Sequence, residues 1–375
     1  MTFPSAGDRA FLIPSGSGKG TATPVEAVAA GDRCVIMAAA SGKPIVVKLN
    51  TIAAGNRVII VPDISGKLVA INLSSGPSWV QQTAAAGWMG RWGLSAVRLS
   101  DNSIVLMGGY TSGGATHDVW RSTDNGVSWV QQTAAAGWSV RSGASVVALS
   151  DDTIIIMGGD NYGDDNGHSG RRCDVWKSTD KGVNWTLQTA STDWGYRAYM
   201  GCVVTSTDAI IITSGIGDGM DRYNDVWTST NQGVSWTRTV EHGGWATRSQ
   251  HCMVILPDGS LVIMGGDCTT IGLLNDVWRS INGGLTWTQM TEHAGWWDRR
   301  LFAAVALSNG NIIIMGGLDF SYNDVWVSTD NGANWTQDTT VVGWSGRYGF
   351  GCVRLLDNSI VVMGGSSTND VWRYA

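Results

Sequence analysis

The chain has 375 residues, of which 43 % are apolar and 15 % charged, with 50 Gly, 7 Pro and a formal net charge of −6. That length and apolar content exclude a disordered chain and allow a sizeable core. Residues 1–72 carry 7 basic and 4 acidic side chains and the remainder 18 and 27, so an acidic excess in the longer part argues against nucleic acid as a partner.

The opening "MTFPSAGDRAFLIP" has neither the basic start nor the apolar run of a signal peptide, and no segment is apolar over a length that spans a membrane. Membrane insertion is therefore not expected. Residues 1–72 repeat with a period of 24: "GDRAFLIPSGSGKG", "GDRCVIMAAASGKP" and "GNRVIIVPDISGKL" begin at Gly7, Gly31 and Gly55 and place Lys19, Lys43 and Lys67 at matching positions. Each reads as a β-hairpin turning at "SGK", and three hairpins predict a small six-stranded barrel or prism. The "SGSGKG" stretch lacks the first Gly and the final Ser or Thr of a phosphate-binding loop, so it reads as a turn. With Phe3 and Phe11 as its only aromatic residues, this unit has a thin core, and it is expected to lean on the rest of the chain, on a protein partner or on a second copy of itself.

From residue 73 a longer repeat begins. A "GWxxR" element recurs six times with its arginine at Arg91, Arg141, Arg197, Arg248, Arg299 and Arg347, at spacings of 50, 56, 51, 51 and 48 residues. A "DVW" tryptophan follows at Trp120, Trp176, Trp227, Trp278, Trp326 and Trp372, and a further one at Trp79, Trp129, Trp185, Trp236, Trp287 and Trp335. In the second repeat the pattern divides into four strands: "SGASVVAL" (142–149, strand a), "TIIIMGG" (153–159, strand b), "CDVWKS" (173–178, strand c) and "VNWTLQT" (183–189, strand d). Six repeats of four short strands predict an all-β, six-bladed propeller over residues 73–375, preceded by the small hairpin-repeat domain of residues 1–72. The chain stops at "DVWRYA", so the sixth blade lacks strand d; "GPSWVQQT" (76–83), which precedes the first strand a, is predicted to supply it and close the ring.

The double glycines at 108–109, 158–159, 265–266, 316–317 and 364–365, followed by the aromatic residues of strands c and d, resemble Kelch repeats such as those of the galactose oxidase propeller. The third blade departs, with "ITSG" for "IMGG". The turns "STDNGVSW" (122–129), "STDKGVNW" (178–185), "STNQGVSW" (229–236), "SINGGLTW" (280–287) and "STDNGANW" (328–335) resemble the Asp box, or BNR repeat, of sialidases and other propellers. This resemblance implies a structural turn, in which Ser and Asp bind local backbone, Gly takes a positive φ and Trp packs inward. It does not extend to chemistry: neither the asymmetric residue set of a sialidase nor the copper ligands of galactose oxidase are matched, so no catalytic residue and no cofactor is assigned.

Three tryptophans in each of six repeats account for 18 of the 20, which makes them scaffold. The two left over, Trp92 and Trp297, are the functional candidates. Alternating strand directions put the d-to-a and b-to-c connections on one face and the a-to-b and c-to-d turns on the other. In ligand-binding Kelch domains the first face, with an arginine leading into the inner strand, is the recognition surface, so the six GWxxR arginines are candidate ligand residues forming a positive rim. The competing expectation is a structural ion pair with the Asp of "DVW" (Asp118, Asp174, Asp225, Asp276, Asp324, Asp370). Departures from symmetry lie before blades four and five, where "VEHGGW" and "TEHAGWW" bring in Glu241, His242, Glu292 and His293 beside Trp297, Asp298 and Arg300. Such a group suits a glycan or protein contact, a metal, acid–base chemistry or plain surface. The acidic loop with Asp160, Asp164, Asp165 and His168 reads as a solvated turn. The cysteines on inner strands, Cys202, Cys252 and Cys352, read as buried thiols, and no C-x-x-C spacing points to zinc.

The expected function is non-enzymatic binding or adhesion, with the propeller displayed to recognise a glycan or protein surface, as in a virion tail fibre or receptor-binding component. The alternatives are a glycoside hydrolase or lyase working at the blade four/five face and an intracellular Kelch-like adaptor. A surface poor in Lys and Glu and rich in Gly, Ala, Ser and Thr suits a virion or cell surface; the cytoplasm is the alternative location.

Overall fold

In the computed structural model the described residues are 78–375, except 163–169, 320, 340 and 341, together with five short strands between residues 12 and 73. The chain divides into two compact units, Met1–Ser78 and Trp79–Ala375. In the first unit Ile36–Ala38 pairs antiparallel with Pro44–Val46, and Arg57–Pro62 with Leu68–Leu73, one pair on each side of the second and third "SGK". Leu12–Ile13 runs parallel to Ile36–Ala38 with Leu12 opposite Ile36, a register equal to the 24-residue period. The return strand predicted for the first repeat, and the barrel or prism predicted for the three together, lie outside the described residues.

The second unit is a six-bladed β-propeller. Its six inner strands, Ser95–Arg98, Ser145–Ala148, Gly201–Val204, Cys252–Ile255, Ala303–Ala306 and Gly351–Arg354, each pack beside the next, and the last packs beside the first. Blade one continues outward through Ile104–Met107, Val119–Ser122 and Val130–Thr133, and the other blades repeat this order. Blade six is completed by Trp79–Thr83, which pairs antiparallel with Thr368–Tyr374, Gln81 opposite Trp372 and Trp79 opposite Tyr374. The ring is thus closed by the strand predicted for that role.

Burial explains the residue choice on each strand. The second strand of a blade is buried on both faces, and its sequence is uninterrupted: IVLM, IIIM, IIIT or IVVM. The inner strand alternates, with Val97 against the neighbouring blade and Ala96 and Arg98 half-exposed toward the axis. The outer strand is wet and reads VQQT or TLQT. Among the described residues the only helix is the single 3-10 turn Asp218–Met220, and no helix is long and apolar enough to cross a membrane.

The seams between blades are filled by tryptophan pairs. Trp88–Trp129, Trp138–Trp185, Trp194–Trp236, Trp245–Trp287, Trp296–Trp335 and Trp344–Trp79 meet edge to face with ring centroids 4.8 to 6.1 Å apart. Each pair packs on the previous blade; around Trp88 the cluster includes Val361, Met363 and Val371 of blade six. Gly126, at φ +92°, sits where a Cβ would lie 2.7 Å from Val371, so its hydrogen side chain sets the approach of blade one to blade six. Ser214, which stands in blade three for the first glycine of the pair, adopts the same left-handed conformation and accepts a hydrogen bond from Trp245 Nε1 at 3.0 Å. The departure from the repeat therefore satisfies a buried indole N–H whose counterparts on Trp88, Trp138, Trp194, Trp296 and Trp344 have no partner.

The turns between the third and fourth strands form one recurring network. In blade one Asp124 accepts from Ser122 Oγ, from Ser128 N at 2.9 Å and from Ser128 Oγ, while Gly126 N donates to Ser122 Oγ and Trp129 Nε1 donates to Gly126 O. The backbone bond to the side-chain oxygen recurs at Asp180, Asn231, Asn282 and Asp330, and where Asn replaces Asp its Nδ2 donates to Ser235 Oγ or Thr286 Oγ1.

Two outcomes are expected. Deleting Trp79–Thr83 exposes the edge of blade six and strips Trp344 of its partner, and should lower Tm by roughly 10 °C; an unchanged melt would refute closure by this strand. Asp124→Ala should cost about 1 to 2 kcal/mol in denaturant titrations through the lost turn bonds, with binding at the opposite face unaltered.

Candidate functional site

The GWxxR arginines are interior. All six are between 0 and 3 % exposed, and each forms a two-pronged ion pair with the Asp of its own blade's "DVW". In blade one Arg91 Nη1 donates to Asp118 Oδ1 at 2.6 Å and to Gly108 O at 2.9 Å, and Nη2 donates to Asp118 Oδ2 at 2.8 Å. Asp118 Oδ2 also accepts from Trp120 Nε1 at 2.7 Å. Asp and Trp two apart on a strand share a face, which is why the motif is D-x-W. Nε of every one of these arginines except Arg197 donates to the carbonyl two residues earlier, as in Arg299 to Trp297 O at 3.1 Å. Their donors are committed to the scaffold; the expected positive rim is instead a set of pins that hold the d-to-a connection down on its blade. Burial opposes ionisation of Asp118, Asp174, Asp324 and Asp370, but the guanidinium hydrogen bonds and charge outweigh it and hold these carboxyls below the usual carboxylate range.

Two residues past each pinned arginine the chain reaches the axis. Gly93, Gly143, Tyr199, Gln250, Leu301 and Gly349 occupy these positions with φ between +52° and +63°. Each donates its N–H to the carbonyl of its counterpart in the preceding blade: Gly143 to Gly93, Tyr199 to Gly143, Gln250 to Tyr199, Leu301 to Gln250, Gly349 to Leu301 and Gly93 to Gly349, at 2.6 to 3.1 Å. Six peptide groups therefore form a closed ring of hydrogen bonds around the channel. Beside it lies a cavity of about 150 Å³, lined also by Met200, His251, Phe302 and Phe350. His251 Nε2 contacts Thr213 Oγ1 at 3.1 Å, and burial followed by the Arg248 charge lowers the imidazole pKa to about 3.

One residue past the arginine in blades one to five, the chain bridges to the residue after the glycine pair or its Ser-Gly equivalent, and in blade six Tyr348 O accepts from Ser366 N at 3.1 Å. This position is not symmetric, and it makes the face chemically uneven. On one side Trp92 bridges to Tyr110, and its ring lies 5.7 Å from those of Tyr110 and Tyr162 and 6.1 Å from that of Tyr348. Tyr162, 46 % exposed, meets the buried Tyr199 hydroxyl to hydroxyl at 2.5 Å. Burial raises the pKa of both phenols. On the other side Asp267 pairs with Arg222 at 2.6 Å and with Arg300 at 2.9 Å. An aromatic half on blades six, one and two thus faces an ionic half on blades three, four and five.

The remaining candidates lie on the connections that enter blades four and five. Trp297 is 73 % exposed. Glu241 pairs with Arg238 at 3.1 Å, while His242 and His293 place Nδ1 3.2 Å from the side-chain oxygens of Asn224 and Asn275. Glu292 is exposed. The pairs 241–242 and 292–293 close their d strands at equivalent positions in adjacent blades, and among the described residues no three His, Cys, Asp or Glu side chains group as a metal site. Asp164, Asp165 and His168 lie outside the described residues. Among the described residues the five cysteines are free thiols, and burial pushes Cys202 up to about 11 and Cys252 and Cys352 higher still.

Acid should destabilise the propeller in two stages. His251 has a folded pKa below its unfolded value near 6.5, so the unfolded chain binds the extra proton and stability falls from about pH 6.5 downward. The depressed carboxyls contribute stability above about pH 4 that is lost as pH falls through their folded values. Thermal melts from pH 7 to 3 should show both, and His251→Gln should flatten only the first; a Tm independent of pH between 7 and 4 in the wild type would refute the His251 assignment. No protein-family model matches the chain and no curated protein sequence is similar to it, so the site is defined by its geometry alone.

Proposed function

We propose that the propeller is a non-enzymatic recognition module that binds a glycan at the channel mouth on the d-to-a and b-to-c face. One observation carries this reading: the rings of Trp92, Tyr110, Tyr162 and Tyr348 gather on one side of the mouth, while the positions of Trp92 and Tyr348 are taken in the other blades by Ser142, Ala198, Ser249 and Arg300. Pyranose rings stack on such faces, and a stacked aromatic contributes about 1 kcal/mol beyond its area burial. The hydroxyls of Tyr162 and Tyr199 and the Arg222–Asp267–Arg300 group supply donors and acceptors around it. Trp297 with Glu241 and Glu292 offers an outer contact for a longer chain, and residues 1–72 would attach the module to a partner or to a second copy. Display on a virion or cell surface suits the Gly-, Ser- and Thr-rich composition.

Glycan-array binding by the wild type, Trp92→Ala and Trp297→Ala tests this. Trp92→Ala should weaken binding at least fivefold at unchanged Tm, and Trp297→Ala should weaken only longer glycans. Binding that survives Trp92→Ala at full strength would move the site elsewhere, and turnover of any bound glycan would overturn the non-enzymatic reading.

A further inference from the structure

The opposite mouth of the channel carries a charge pair that the fold leaves unneutralised. The last residues of the six inner strands are Arg98, Ala148, Val204, Ile255, Ala306 and Arg354. Four are apolar, and the two arginines sit on the adjacent blades one and six. Both are half-buried, and neither has a carboxylate partner among the described residues. Arg98 Nη1 donates to Leu99 O at 3.0 Å and Arg354 Nη1 to Asn358 Oδ1 at 3.2 Å, which leaves most of their ten N–H donors unspent. Burial and the neighbouring Arg98 charge lower the pKa of Arg354. In a chain of net charge −6, two unpaired guanidiniums side by side in an apolar channel cost stability unless something negative sits between them.

The space beside them is not filled. Arg98 and Arg354 line a cavity of about 310 Å³ among Ala96, Ala148, Ala304 and Ala306, and Arg354 also lines an adjoining cleft of about 540 Å³ across blades three, four and five. That cleft opens where a clasp is missing. At the other seams an Asn or Asp at positive φ reaches the preceding blade's turn: Asp152 accepts from Ser100 N at 2.6 Å, Asp208 from Ser150 N at 2.8 Å, Asn358 from Ser308 N at 3.0 Å and Asn102 from Leu356 N at 2.9 Å. In blades four and five the same position is Gly259 and Gly310, at φ +81° and +88°, with nothing within 4 Å of a built Cβ. The turn facing Gly310 carries Pro257, which has no N–H to be clasped. The only carboxylate lining the cleft, Asp258, is held by Arg279 at 2.6 Å.

We propose that this mouth is an oxyanion site: the carboxylate or phosphate of a small polar ligand, such as an acidic or phosphorylated monosaccharide, sits between Arg98 and Arg354 while its uncharged body occupies the cleft at Gly259. Bidentate guanidinium geometry fits either group. The site lies on the other face from Trp92 and does not depend on it.

Calorimetric titration and thermal melts at constant ionic strength in chloride test the proposal with inorganic phosphate, glucuronate and glucose as probes. The wild type should bind phosphate and glucuronate saturably with a rise in Tm, and glucose at least tenfold more weakly. Arg98→Gln with Arg354→Gln should lose both anions at least tenfold, and should melt no lower than the wild type in chloride because the like-charge repulsion is gone. Gly259→Asn should add the missing clasp to the turn of blade three, raise Tm and weaken glucuronate more than phosphate. Absence of saturable anion binding by the wild type overturns the proposal whatever the variants do, as does affinity unchanged in the double Gln variant or equal for glucose and glucuronate.

Discussion

A guanidinium cannot be buried without a countercharge, and in this molecule that constraint organises every blade. Arg91 and its five counterparts lie fully inside the protein, so each must meet a carboxylate with its whole hydrogen-bonding fork, and the carboxylate must in turn be fixed. Asp118 and its equivalents do both, taking two arginine bonds and one from the indole two residues on. The clamp ties the third strand of a blade to the connection that enters its first strand. Breaking one member leaves a charge buried without compensation, which explains why Arg, Asp and Trp recur together in all six blades while much around them drifts.

Clamping creates the difference between frame and display. The residue immediately after each arginine is held between that pin and the axial ring by backbone bonds that need no particular side chain, so its identity is free to vary. Trp92, Ser142, Ala198, Ser249, Arg300 and Tyr348 share one structural position and almost no chemistry. The aromatic and ionic halves of the mouth arise from this freedom, supported by a scaffold that stays constant beneath them. At the other end of the channel the inner strands offer the same opportunity, and there only Arg98 and Arg354 depart from small or aliphatic residues.

The fold was legible because its determinants repeat. Eighteen tryptophans in three registers, the arginine spacing and the stranded "WVQQT" before the first blade define blade number, strand order and closure without reference to any contact. The site was legible in part. Trp92 stood out by exceeding the repeat count, but Tyr110, Tyr162, Tyr199 and Tyr348 sit at different offsets in different blades and converge only when the ring is closed. Glu241, His242, Glu292 and His293 form a cluster in sequence, yet they follow directly on outer strands, eight or nine residues before the axial Gln250 and Leu301. Arg98 and Arg354 gave no signal, since an arginine closing an alternating strand is ordinary until its neighbours prove apolar. Burial of the six repeated arginines followed from the same symmetry that made them conspicuous: a residue every blade requires answers a need every blade has.

The ring of six peptide hydrogen bonds at the axis bears on how the molecule comes apart. In an open array of repeats the end unit is held by one neighbour, so units detach in succession and unfolding spreads over a range of conditions. Here every blade both gives and receives an axial bond, and the sense of donation runs unbroken from Gly93 round to Gly349 and back. No blade is terminal. Releasing any one severs two links and exposes two tryptophan seams at once, which places the six in a single cooperative unit: amide exchange of the axial N–H groups should report global opening, and the calorimetric and van't Hoff enthalpies of the propeller should coincide.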